Sequence, residues 1–183
     1  IMKEIFYEFI NYLKNPVLEK DSNTTLNHRL KVLVHMFLFC AIFASIITPL
    51  FTLLEDLGWI DLDTHKVEEV FKDLPFYAVI LVGGILIPFI EELMFRAPIV
   101  LFKKPKSFKI AFYFFAIVFG LIHITNFEIT STVLLLTPIL VLPQLFAGFA
   151  LGFLRIRFGL RWSVFLHCIY NIFFLSIALI FDS

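Results

Sequence analysis

PFYAVILVGGILIPFIEELMFRAPIVLF, residues 75–102, is apolar enough and long enough to cross a bilayer, yet it carries Glu91, Glu92 and Arg96. A hydrocarbon core of about 30 Å needs around 20 helical residues, and the backbone of such a segment must satisfy its own hydrogen bonds. An open strand cannot do that in lipid, so the segment is read as a helix. Charged groups at mid-bilayer cost about 2.5–3.5 kcal/mol each on insertion scales and therefore require a reason. The stretch thus predicts a membrane-spanning helix whose polar residues turn toward a shared protein interior.

Working outward, four more segments qualify as spans: residues 32–54, about 108–125, 131–154 and 160–181. The fold class read from them is all-α, a polytopic transmembrane helix bundle of about five spans with an N-terminal amphipathic helix. Composition agrees. Of 183 residues 60 % are hydrophobic and only 16 % charged, against roughly a quarter charged in soluble domains. The 25 Phe residues fit lipid-facing surfaces better than an aromatic cofactor box. The charges sit in blocks between apolar runs and form no basic groove, which argues against a nucleic-acid partner. Cys40 and Cys168 lie within apolar runs and read as packing residues, not as a disulfide or a metal site.

Ahead of the spans, Ile5, Phe6, Phe9, Ile10, Leu13 and Val17 recur at helical spacing, with Lys3, Glu4, Glu8, Asn11 and Lys14 on the other face. Residues 2–18 therefore read as an amphipathic helix lying on the membrane surface or packed on the cytoplasmic end of the bundle. Pro16 and the polar run over residues 21–27 end it. No cleavable signal peptide is expected, and Met2, preceded by Ile1, reads as the natural start. Three regions follow: 1–31, a cytoplasmic helix and linker; 32–74, a first span and an external loop; 75–183, a four-span core.

Orientation follows from the bases in short loops. Lys3, Lys14, Lys20, Arg29 and Lys31 precede the first span; Lys103, Lys104, Lys106 and Lys109 follow the second; Arg155, Arg157 and Arg161 precede the fifth. The alternate loops hold only Lys66 and Lys72. The expectation is an integral protein of the cell (plasma or inner) membrane with its N-terminus cytoplasmic and its C-terminus outside.

Helical spacing sorts the intramembrane polar residues. Glu92 and Arg96 are four apart and can pair within one helix, whereas Glu91 points about 100° away and is left for chemistry. Pro88 and Pro98 loosen the helix around the acids by removing backbone donors. His123 lies on the third span, and His167 and Asn171 share a face of the fifth. Singly, each has a structural reading: an ion pair for Glu92 with Arg96, a hydrogen-bonded packing residue for His123, an interhelical hydrogen bond for Asn171. An unpaired acid, two imidazoles and an amide on three helices point instead to a site. Gln144, between Pro138, Pro143 and Gly148, is a further candidate for the polar interior.

These residues resemble the three motifs of the CPBP family, intramembrane peptidases that include the CAAX prenyl endopeptidase type and bacteriocin-processing or immunity proteins. Glu-Glu-x-x-x-Arg is matched by Glu91-Glu92-Leu93-Met94-Phe95-Arg96, Phe-x-x-x-His by Phe119-Gly120-Leu121-Ile122-His123, and His-x-x-x-Asn/Asp by His167-Cys168-Ile169-Tyr170-Asn171. The likeness covers residues 75–181. It implies that Glu91 and His123 activate a water, that His167 and Asn171 donate to the developing oxyanion, and that Glu92 and Arg96 support the site. A carboxylate in an apolar pocket suits the base, and donors in a dry site stabilise the tetrahedral intermediate. Ser163 and Ser176 show no spacing that recommends either as nucleophile.

The expected function is an intramembrane endopeptidase acting on a hydrophobic or lipidated peptide within membrane lipid. The alternative is a non-catalytic immunity or scaffold protein that binds such a peptide in the same cavity. A transporter is disfavoured, because no pair of spans shows inverted-repeat character. No cofactor is favoured. Zinc on Glu91, His123 and His167 is the alternative, disfavoured because Glu92 is engaged by Arg96 and no free base would remain.

Overall fold

The computed structural model describes residues 2–61 and 74–181. Eight α-helices occur among them: α1 Met2–Lys14, α2 Leu26–Asp56, α3 Phe76–Leu81, α4 Ile87–Phe95, α5 Pro105–Ile122, α6 Ser131–Leu140, α7 Leu142–Arg157 and α8 Leu160–Phe181. A π-helical turn, Val82–Leu86, joins α3 to α4, and 3-10 turns follow α4 (Pro98–Leu101) and α5 (His123–Asn126). Most of the external loop expected up to residue 74 lies outside the described residues.

Four helical stretches can each cross a membrane alone: α2, the α3-to-Leu101 stretch, α5 with its 3-10 turn, and α8; α6 with α7 makes a fifth when taken as one span. Their outer faces are apolar and exposed. On α2, Val34, Leu38 and Ile42 point outward, while Val32, Met36, Cys40 and Ala44 form a buried stripe four residues apart. Only lipid makes such an outer surface favourable. The chain is an integral membrane protein.

Two spans depart from the straight helices that hydropathy predicts. Residues 131–154 do not form one helix: α6 and α7 are bent by 41° at Val141. Pro143 cannot donate to the carbonyl four residues back and its ring crowds that carbonyl, which breaks the helix there. The second span, likewise, widens to π geometry just before Pro88. The Ile87 amide reaches back five residues to the Val82 carbonyl. The Gly83 carbonyl would next be served by residue 88, but proline has no N–H.

α7 is the central helix, packing against α5, α8 and α2. Small residues let it approach α5. A Cβ on Gly148 would stand 3.1 Å from the Ala116 carbonyl oxygen, and one on Gly120 would stand 3.1 Å from the Leu145 Cα. Close backbone approach of this kind is how helices associate where lipid removes the hydrophobic drive.

α1 is packed inward and does not float on a lipid surface. Phe9 is 0 % exposed and meets Phe146 and Phe153 edge-on, while the Tyr113 hydroxyl donates to the Leu13 carbonyl. An ionic tie completes the attachment. Arg157 Nη2 lies 3.1 Å from Glu8 Oε1 and 3.2 Å from Asp21 Oδ2, and the Asp21 amide donates to the Arg157 carbonyl at 3.0 Å. These contacts gather the 14–21 linker, the start of α5 and the end of α7 at one end of the bundle. Leu54, Ile60, Phe127 and Val133 cluster at the other.

Burial works against the Asp21 carboxylate, but the Asn23 amide, His28 and Arg157 outweigh it and hold the group below the usual carboxylate range. An acid with a lowered folded value contributes stability above its unfolded value, about 3.9, and loses it as pH falls through the folded one. The α1 tie is therefore expected to loosen below about pH 4. A spin label at Asn11→Cys, in a background without Cys40 and Cys168, should gain mobility there. An Asp21→Asn variant should be mobile already at neutral pH; equal rigidity of the two proteins at every pH would refute the role given to Asp21.

Candidate active site

The site is built from the second, third and fifth spans, with α7 behind it. Glu92 and Arg96 are both 0 % exposed, and Arg96 Nε lies 3.6 Å from Glu92 Oε1. The guanidinium carbon lies over the Phe119 ring, 4.0 Å from its centroid, so the aromatic face supplies cation–π attraction where solvent is absent. None of the three guanidinium nitrogens of Arg96 has a hydrogen-bond partner among the described residues. Its nearest counter-charge is Glu92, with the Phe119 ring beneath it. The Arg96 carbonyl, left over where α4 ends, accepts from Arg155 Nε at 3.0 Å.

His167 lies between the two acids. Its Nδ1 is 3.1 Å from Glu92 Oε1 and its Nε2 is 3.4 Å from Glu91 Oε2. Glu91, which spacing along its own helix left without a partner, thus has one from α8. Glu92 holds one side of the ring and so directs the other toward Glu91, as the orienting carboxylate of a carboxylate–histidine pair does.

Ser163 is the residue that spacing did not recommend. It is 0 % exposed, and its hydroxyl contacts Glu92 Oε2 and lies 3.1 Å from the Leu151 carbonyl. A signal for it existed: Ser163, His167 and Asn171 stand at intervals of four and form one stripe on α8. Phe119 was visible only as the first residue of its motif. In the fold its ring also packs edge-on against both His123 and His167.

Asn171 donates from Nδ2 to the Gly83 carbonyl at 3.1 Å. This is the carbonyl that Pro88 leaves unserved, so the π turn and Asn171 complete one another. A primary amide has two N–H donors, which leaves a second one. His123 stands where α5 tightens into its 3-10 turn. Its Nδ1 is 2.7 Å from the Phe119 carbonyl; a carbonyl can only accept, so Nδ1 carries the proton.

Glu91, His123, His167, Asn171 and Gln144 line one cavity of about 630 Å³, whose other walls are largely apolar. Glu92, Arg96 and Ser163 lie behind its wall. Among the described residues no three His, Cys, Asp or Glu side chains are gathered as a metal ion requires.

The bundle is a membrane-embedded helical protein whose cavity is lined by an acid and two imidazoles. The family model for type II CAAX prenyl endopeptidases, Rce1-like, matches residues 73–173, and the chain belongs to that family. Its activity class is intramembrane proteolysis. Comparison with curated proteins and with solved structures finds no match.

Proposed function

We propose that the chain is an endopeptidase that hydrolyses a peptide bond of a hydrophobic or lipid-bearing peptide with a water activated by Glu91 and His123. One observation carries the reading: the four motif residues Glu91, His123, His167 and Asn171 line the same largely apolar cavity. Water attacks the carbonyl carbon as its proton passes to Glu91, with His123 Nε2 as the second acceptor. The carbonyl oxygen, now carrying negative charge, takes hydrogen bonds from the Nε2–H of His167, whose Nδ1–H is held by Glu92, and from the second N–H of Asn171. Collapse breaks the C–N bond, and the leaving amine recovers the proton from Glu91. Glu92, Arg96 and Ser163 act by holding His167. Comparing membrane peptides in cells that make the wild type with those in cells that make Glu91→Gln tests the reading. Peptides should accumulate uncut in the variant, and identical peptide sets would overturn it.

The scheme routes no step through a metal, because a peptidase zinc needs about three ligands plus a base outside that set and the candidate ligands are not grouped. Cleavage is expected to survive strong chelation. Loss on chelation with rescue by added zinc would make Glu91 a ligand and reopen the search for the base at Glu92.

The basic loops support an N-terminus in the cytoplasm. Reporter fusions after Ser107 and after Arg157 should read cytoplasmic, and a fusion after Thr130 should read external. The reverse pattern would invert the orientation.

A further inference from the structure

We infer that Gln144 is a substrate-positioning residue, whose carboxamide holds the peptide main chain beside the bond that is cut. The inference rests on the hydrolytic reading above and deepens it: the group recognised at this point is a peptide unit of the substrate, whatever its side chains.

Gln144 belongs to none of the three motifs. It stands in the first turn of α7, just past the bend at Val141, and lines the cavity together with Ala147 and Leu151 of the same helix face. Its Oε1 is buried and has no hydrogen-bond partner among the described residues. A carboxamide inside a bundle normally makes an interhelical hydrogen bond, and a buried acceptor needs a donor. The described residues supply none, so packing does not account for this side chain.

Register places it close to the chemistry. α5 and α7 pack antiparallel, Ala116 against Gly148 and Gly120 against Leu145. Gln144 therefore stands level with Gly120 and Leu121, within about one helical turn, roughly 5.4 Å, of the level of His123. Phe119, the neighbour of Gly120, carries the ring that packs against both His123 and His167. An extended chain advances about 3.3 Å per residue, so Gln144 reaches a peptide unit within about two residues of the scissile carbonyl.

Chemistry selects what it holds. A peptide that enters a largely apolar cavity gives up the water on its N–H and C=O groups, and each one left unpaired is costly. Glu91 and His123 serve the attacking water, and His167 and Asn171 serve the scissile oxygen. Thr125 spends its hydroxyl proton on the Ile122 carbonyl. Gln144 offers an acceptor with two donors beside it, the complement of a peptide N–H and a peptide C=O.

A cycle between protein and substrate tests this. The probe is the synthetic form of a peptide that accumulates uncut in Glu91→Gln membranes. Its analogues replace one amide near the scissile bond at a time by an ester, which removes a single N–H. With wild type, the ester at the contacted position should lower kcat/KM about 10-fold, mostly through KM. Gln144→Leu, or Gln144→Met should the first not fold, should cut the all-amide peptide about 10-fold less well, again through KM. The same ester should then cost it no more than about 2-fold further. Its thermal unfolding in detergent should come no lower than that of wild type, since the change strands no partner. Equal ester effects in wild type and variant at every position, or activity lost only in step with stability, overturn the inference. Should that happen while Glu91→Gln abolishes cleavage, the grip alone falls. Ester coupling to Gln144 beside full cleavage by Glu91→Gln leaves the grip standing and sinks the assigned base. Identical peptide sets in cells with and without Glu91→Gln sink the hydrolytic reading, and the grip with it.

Discussion

Glu91→Gln is expected to abolish peptide cleavage while the purified protein stays folded. Glutamine keeps the size and polarity of the side chain but cannot take the proton from an attacking water. Loss of a positioned general base typically costs about 10²–10⁴-fold in rate, and here water itself is the nucleophile, so the upper end applies. The fold should tolerate the change, because Glu91 borders the cavity with its side chain 21 % exposed and its removal strands no fully buried charge. His123→Ala should behave similarly. His167→Ala should lose activity and some stability together, since it also takes a hydrogen-bond partner from Glu92. Kinetics alongside thermal unfolding separate these outcomes, and full cleavage by Glu91→Gln would refute the assignment of the base.

Glu92→Ala is expected to do the opposite and damage the fold first. Arg96 is 0 % exposed, its guanidinium has no hydrogen-bond partner among the described residues, and Glu92 is its nearest counter-charge. Breaking a buried pair by removing one member costs about 3–5 kcal/mol, because the remaining charge is left uncompensated. Replacing both members by apolar residues of similar size, as in Glu92→Leu with Arg96→Met, should recover much of that stability. It should not recover activity, because His167 then loses the carboxylate that orients it. Unfolding in detergent across the single and double variants measures this. A Glu92→Ala protein as stable as wild type, beside a Glu91→Gln protein that unfolds, would reverse the division of labour between the two acids.

The division itself was half legible in the chain. Glu92 and Arg96 are four apart, and helix geometry alone brings them together. That Glu91 meets His167 was not legible, since the contact depends on the rotation of α4 and α8 about their axes. Ser163 was passed over for the same reason: its stripe with His167 and Asn171 could be read, but not the carboxylate it would meet. The π turn was foreshadowed by Pro88, yet nothing local says that Asn171, on another span, serves the Gly83 carbonyl.

What the sequence determined by itself, then, is everything that lipid imposes on a chain locally. In a solvent without hydrogen-bond partners the apolar runs have no structure open to them but the helix, so the helical class and the approximate place of each span follow from hydropathy, as do pairs within one helix. Tertiary structure alone decided the rest. The approach of α5 to α7 at Gly120 and Gly148, the 41° bend at Val141 and the inward seat of Phe9 set the rotation and tilt of each helix. Those angles come from packing between segments distant in sequence, and they bring His167 between two carboxylates and Phe119 beneath Arg96.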